Sequence, residues 1–186
     1  MLRLKRRILG LIIVTFLIAG SGASHAQVMI KLSGNHPTGI TSQPTGPIDP
    51  DRMLSMAITL KLRDQAALNL LLAEQQDPSS PNYHRWLTPQ EFSARFGPDP
   101  VQFKAVQDWL VAQGFEIVSS SQQRRSITFK GSAARAERVF QTRITAYAGD
   151  SYANLTDPSI PERFAGVIGA ITGLDNFAHA VPLSSP

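Results

Sequence analysis

Cysteine is absent from the 186 residues, which removes disulfides, thiol nucleophiles and thiolate metal sites together. Histidine is nearly as scarce. His25, His36, His84 and His179 lie far apart, and none recurs at the short spacing that gathers ligands round a metal, so no metal or cofactor is expected. Only one apolar run is long, the 12 residues from Ile8 to Ala19, and a bilayer span needs about 20. An excess of one charge is also missing once that run is understood. Arg3, Lys5, Arg6 and Arg7 precede it, and Ser24-His25-Ala26 follows with small residues at the −3 and −1 positions of a cleavage site. Residues 1–26 are therefore expected to be a signal peptide, with export to the periplasm or beyond, an uncleaved anchor being the alternative. The label carries four basic residues and no acidic one, so 18 − 4 = 14 Lys+Arg remain against 14 Asp+Glu. A neutral mature chain gives nucleic acid no electrostatic footprint, and no membrane partner is expected after cleavage.

What the chain does have is a dense run of local signals from Asp77 to Asp99, DPSSPNYHRWLTPQEFSARFGPD. Asp77-Pro78 ends any preceding helix, because proline lacks the N–H a continuing helix needs and pushes the residue before it out of the α region. Tyr83, Trp86 and Leu87 bring large apolar surfaces to a short loop, which predicts a loop packed on the body of the domain. Thr88-Pro89-Gln90-Glu91 has the form of a capping box with proline at the first helical position. Phe92 and Phe96 then share one face, and Gly97-Pro98 stops the helix.

Upstream, residues 27–51 carry Pro37, Pro44, Pro47 and Pro50 among Gly, Ser and Thr and read as a mobile leader. Ordered structure is expected from about residue 52. Leu54, Met56, Ile58, Leu60 and Leu62 alternate with Met53, Ser55, Ala57, Thr59 and Lys61, the period of a half-buried strand. Asp64 caps a helical stripe of Leu68, Leu71 and Leu72. Downstream, Asp99-Pro100-Val101-Gln102 repeats the cap grammar for a helix over about 100–113 that buries Phe103, Val106 and Leu110 and ends at Gly114. Phe115, Ile117, Ile127 and Phe129 mark a hairpin. Ser132 caps a helix with Ala133, Ala136, Val139 and Phe140 inward, and residues 142–148 are expected to return as a strand. The run from Phe164 to Ile171 fits a buried strand or a short helix equally well. With the 65–98 helical segment set aside as an insert, the order is β-α-β-β-α-β. That is an α+β, ferredoxin-like arrangement: a four-stranded antiparallel sheet with two covering helices.

The organising motif, SP-x-Y-x-x-W-L-T-P-x-E-F-x-x-x-F-x-P, resembles the signature of the pro-kumamolisin activation domain, the propeptide of sedolisin-type serine-carboxyl peptidases. FKAVQDWLVAQGF, RSITFKGSAARAERVFQTRITAY, YANLTDPSIP and VIGAITGLDN extend the likeness over residues 53–176. The resemblance implies a secreted activation domain that assists the folding of a peptidase, in cis or in trans, and inhibits it until acid releases it. The family's Ser-Glu-Asp triad places its serine in a Gly-Thr-Ser motif, and none occurs here. No catalytic residue is carried over, and the chain is expected to be no enzyme by itself, whether free-standing, split or truncated, with 177–186 as the start of a linker. A secreted protein-binding module with no protease role is the alternative.

Several residues have plainer readings. Ser132 and Glu91 are explained by capping, the scattered histidines by solvation and the Arg124-Arg125 pair by a solvated turn. Tyr83 and Trp86 read as satellites of the core, with interface anchors as the competing role. By the resemblance, the peptidase-contacting residues are Tyr83, Trp86, Asp157, Glu162, Leu174, Asp175 and Asn176. The tail from Leu174 would lie in the cleft, and the carboxylates would respond to acid near pH 4.

Overall fold

A computed structural model describes residues 27–177. The central element is β3 (Met53–Leu60), in which the alternation read from the sequence appears as burial: Leu54, Met56, Ile58 and Leu60 point inward. β5 (Ser126–Ser132) pairs with it on one side, and β4 (Glu116–Ser120) pairs with β5 as the expected hairpin. On the other side lies β9 (Ile168–Thr172), so the sheet runs β4-β5-β3-β9 with every pair antiparallel.

Two helices close the inner face, and each begins where its cap residue predicts. In α3 (Pro100–Ala112), Asp99 accepts from the amides of Val101 and Gln102. In α4 (Ala133–Phe140), Ser132 accepts from the Arg135 amide. Their buried stripes are the expected ones: Phe103, Val106 and Leu110 on α3, and Ala133, Ala136, Val139 and Phe140 on α4. Between helices and sheet, the Phe115 ring lies 5.1 Å from Phe129 and 5.6 Å from Phe140, and Trp109 bridges Phe140 to Phe164.

The fourth strand is not the one expected. The segment after α4 does form β6 (Ile144–Tyr147), but in a second sheet between β2 (Pro44–Pro47) and β7 (Tyr152–Asn154). Glu137 on α4 accepts from the Ile144 amide and turns the chain away from β3. The vacated edge is filled by β9, the run whose period left strand and helix open. Gly173 makes this possible: its φ is +86°, and a Cβ there would meet the Ser55 carbonyl at 2.2 Å, so only glycine fits.

Residues 27–51 are likewise no mobile leader. β1 (Met29–Lys31) pairs with β8 (Ser159–Pro161), β2 pairs with β6, and Leu32 and Ile48 join the main core. β2 carries proline at both ends and still forms, because it is an edge strand and an edge tolerates the missing N–H.

The insert comprises α1 (Gln65–Glu74), a loop, and α2 (Pro89–Phe96). It has its own small core of Leu68, Leu71 and Phe96, with Leu62, Leu87 and Phe92 against it. The capping box is complete, with Thr88 and Glu91 bonded reciprocally. Two arginines fasten the end of α2 to the sheet. Arg63 donates to the Gly97 and Ala94 carbonyls at 2.6 Å, and Arg124 donates to the Pro98 and Ser93 carbonyls. Arg124, expected in a solvated turn, is therefore structural: a cation satisfying orphan carbonyls at the negative end of a helix.

Candidate interaction surfaces

The sheet has one bare face. Side chains on adjacent strands that pair directly share a face, so Ser55 lies with Lys130, Ala57 with Thr128 and Thr172, and Thr59 with Ser126 and Ala170. Glu116 continues the row from Lys130. Met53 and Val118 are the large apolar side chains exposed along these strands. All bulky core residues of the sheet point to the helices. What remains outward is a shallow surface of Ser, Thr and Ala, with Glu116 and Lys130 as opposite charges near one edge.

A second surface is the loop between α1 and α2. Tyr83 is 39 % exposed and Trp86 66 % exposed, so neither is a core satellite. Tyr83 stacks on His84 with ring centroids 3.8 Å apart, and His84 in turn faces Trp86 at 6.0 Å. The loop is held by polar contacts instead. Asn82 donates to Glu74, the His84 amide donates to the Gln75 carbonyl, and the buried Gln75 side chain donates to the Arg85 carbonyl. Of the three large residues expected to pin the loop, only Leu87 packs.

The other site candidates divide. Leu174 is 1 % exposed and belongs to the main core, so it cannot touch a partner in this conformation. Asn176 is on the surface but tied down: its amide donates to the Tyr152 carbonyl and its side chain accepts from the Tyr152 amide at 2.7 Å. Glu162 is exposed in a 3-10 turn, Glu162–Phe164. Asp175 lines a groove of about 450 Å³ with His36 and Phe177. Asp157 is turned inward, its side chain 17 % exposed, accepting from the Asn35 amide and from His36 Nδ1, each at 2.7 Å. The His36 hydrogen bond holds this carboxyl below the usual aspartate range; burial partly opposes it, and the Asn35 and Gly34 amides add to the lowering.

No group of three or more His, Asp or Glu among the described residues is placed to hold a metal ion. No helix among them is long and apolar enough to cross a membrane. The surfaces suited to recognition are thus a flat sheet face and an aromatic loop. A family profile of the pro-kumamolisin activation domain matches residues 41–177. The chain belongs to that family. Its relatives include xanthomonalisin of Xanthomonas sp. (strain T-22), 31 % identical over 132 residues, and sedolisin of Pseudomonas sp. (strain 101), 28 % identical over 131. Tripeptidyl-peptidase 1 of Rattus norvegicus is 29 % identical over 147 residues. These matches take in 69–76 % of this chain but only 16–26 % of the relatives. The pro-kumamolisin activation domain described here therefore corresponds to a minor part of each relative.

The sequence signals for the aromatic loop were present, but the pins of that loop were not to be found in it. Gln75 and Glu74 sit at the end of α1 and act only once the chain has doubled back.

Proposed function

We propose that this activation domain serves a sedolisin-type peptidase catalytic domain as folding assistant and as an inhibitor that acid releases, and that it performs no chemistry itself. We further read the strand order β4-β5-β3-β9, with α3 and α4 on one face, as ferredoxin-like, and residues 1–26 as the signal for its export. The bare sheet face carries the reading. Lined mainly by Ser, Thr and Ala, with Met53, Val118, Glu116 and Lys130 as its larger side chains, it can be approached closely by a partner, and its hydroxyls offer hydrogen bonds over a broad area. Tyr83 and Trp86 supply exposed anchors of the kind that dominate interface energetics. Glu162 is a solvent-facing carboxylate in the turn before β9. Asn176 is anchored on Tyr152, next to the end of the described residues.

The test is an inhibition assay. The purified chain, added to a sedolisin-type peptidase, is expected to inhibit at mildly acidic pH and to lose its hold as pH drops toward 3. Absence of inhibition at every pH would overturn the inhibitor role.

A further inference from the structure

Residues 33–42 form a strap that leaves β1, crosses the outer edge of β9 and enters β2. Leu32 and Ile48 anchor its two ends in the core. Between them one residue carries most of the attachment. The Asn35 amide donates to Asp157, its carbonyl accepts from the Asn154 side chain at 2.8 Å, and its Oδ1 accepts from the Ile171 amide at 2.8 Å. Asn35 thereby stands in for a neighbouring strand at the open edge of the sheet, and Asp157 holds Asn35. His36 Nδ1 donates to the same Asp157 oxygen. On either side, Gly34 and Gly39 have φ of +77° and +75° with open space around them, so the backbone can pivot there at little steric penalty. The far half of the strap, residues 37–42, lines a groove with Phe177, the first residue of the chain's continuation.

We propose that Asp157 is an acid-sensitive latch: its protonation frees the strap from residue 33 to residue 42, uncovering the β9 edge at Ile171 and opening the groove that the strap lines together with Phe177. His36 is the only ionisable side chain in the strap. Asp175, across the groove, is the other ionisable group lining it, and His36 is the charge that acts on Asp157. The sign follows from the direction of the shift. A carboxylate held below its usual value near 3.9 stabilises the closed strap above that pH, and the stabilisation disappears as pH falls through the lowered value. The two anchors do not titrate, so the opening is local, with the sheet and helices intact. An unlatched edge amide at Ile171 would then be available to an extended segment by strand addition.

This is a property of the chain by itself, so its test needs no peptidase and stands apart from the inhibition assay. Amide hydrogen exchange on the full chain, expressed as protection factors at pH 6 and pH 3, reads it. At pH 3 the Asn35 and Ile171 amides are expected to lose about twofold to ninefold of their protection, while Ile58 and Phe129 keep theirs. In Asp157→Asn, strap protection is expected to be low at both pH values. In the unsubstituted chain, the Asp157 carboxyl and the Asn35 amide must also titrate with one midpoint by NMR, a measurement that survives even if the variant fails to fold. Strap and core opening together, a pH dependence retained in Asp157→Asn, or two separate midpoints would each overturn the latch.

Discussion

Leu174 and Trp86 show how far apart two residues of one motif-bearing chain can lie in role. Leu174 sits in the main core beside β9, and truncation there both loses apolar burial and leaves a cavity. Leu174→Ala is expected to lower stability by about 2–5 kcal/mol in urea unfolding. Trp86 is two-thirds exposed and touches solvent more than protein. Trp86→Ala is expected to leave stability within about 0.5 kcal/mol while weakening peptidase inhibition; a loss of stability comparable to that of Leu174→Ala would show that the loop is part of the fold after all. Both residues looked alike in sequence, as large apolar side chains close to turn signals. Burial separates them, and burial depends on which part of the chain folds over each.

At the scale of elements, the helices were readable because their start signals are local. Asp64, Thr88, Asp99 and Ser132 each accept from an amide two or three residues on, and such bonds need nothing from the rest of the chain. Thr88→Ala is accordingly expected to cost about 1 kcal/mol, measured by thermal unfolding. The same cap gives α2 a pH response. Thr88 donors hold the Glu91 carboxyl below the usual glutamate range, so the stabilisation is present at neutral pH and fades on acidification through that lowered value. Long-range attachments were not readable. Arg124 reaches Pro98 and Ser93 from the tip of a hairpin, and nothing in the polar run from Ser119 to Arg125 distinguishes a clamp from a solvated turn. Arg124→Ala is expected to raise protease sensitivity within residues 65–98 while the sheet amides keep their protection. Equal loosening of both would show that the insert and the sheet open as one unit.

At the scale of the molecule, the two covering helices, the hairpin and the alternation of β3 were legible, whereas sheet membership was not. β6 and β9 are both short apolar segments of period two or less. Which of them lies beside β3 is decided by Gly173, where the backbones meet too closely for any side chain, and by the Glu137 bond that diverts β6. The leader was missed for a related reason. A proline-bearing segment can still pair at an edge, and β1 and β2 find their partners near residues 159–161 and 145–147, far along the chain. The bare sheet face follows from this arrangement, and it can be tested without disturbing the core. Thr128→Arg places a long charged side chain there. It is expected to leave the melting temperature nearly unchanged and to weaken inhibition of a sedolisin-type peptidase at least tenfold; unaltered inhibition would remove the face from the interface.

The position of β9 in the chain has a consequence for biosynthesis. β3 is made early, yet the neighbour that completes its sheet comes from residues 168–172, almost at the end of the described part. Until those residues emerge, one side of β3 lacks its partner strand, and the most distant pairing in the sheet must close last. Translation order thus leaves the sheet open until residues 168–172 have emerged, and the scaffold is complete only when almost all of the described part has been made.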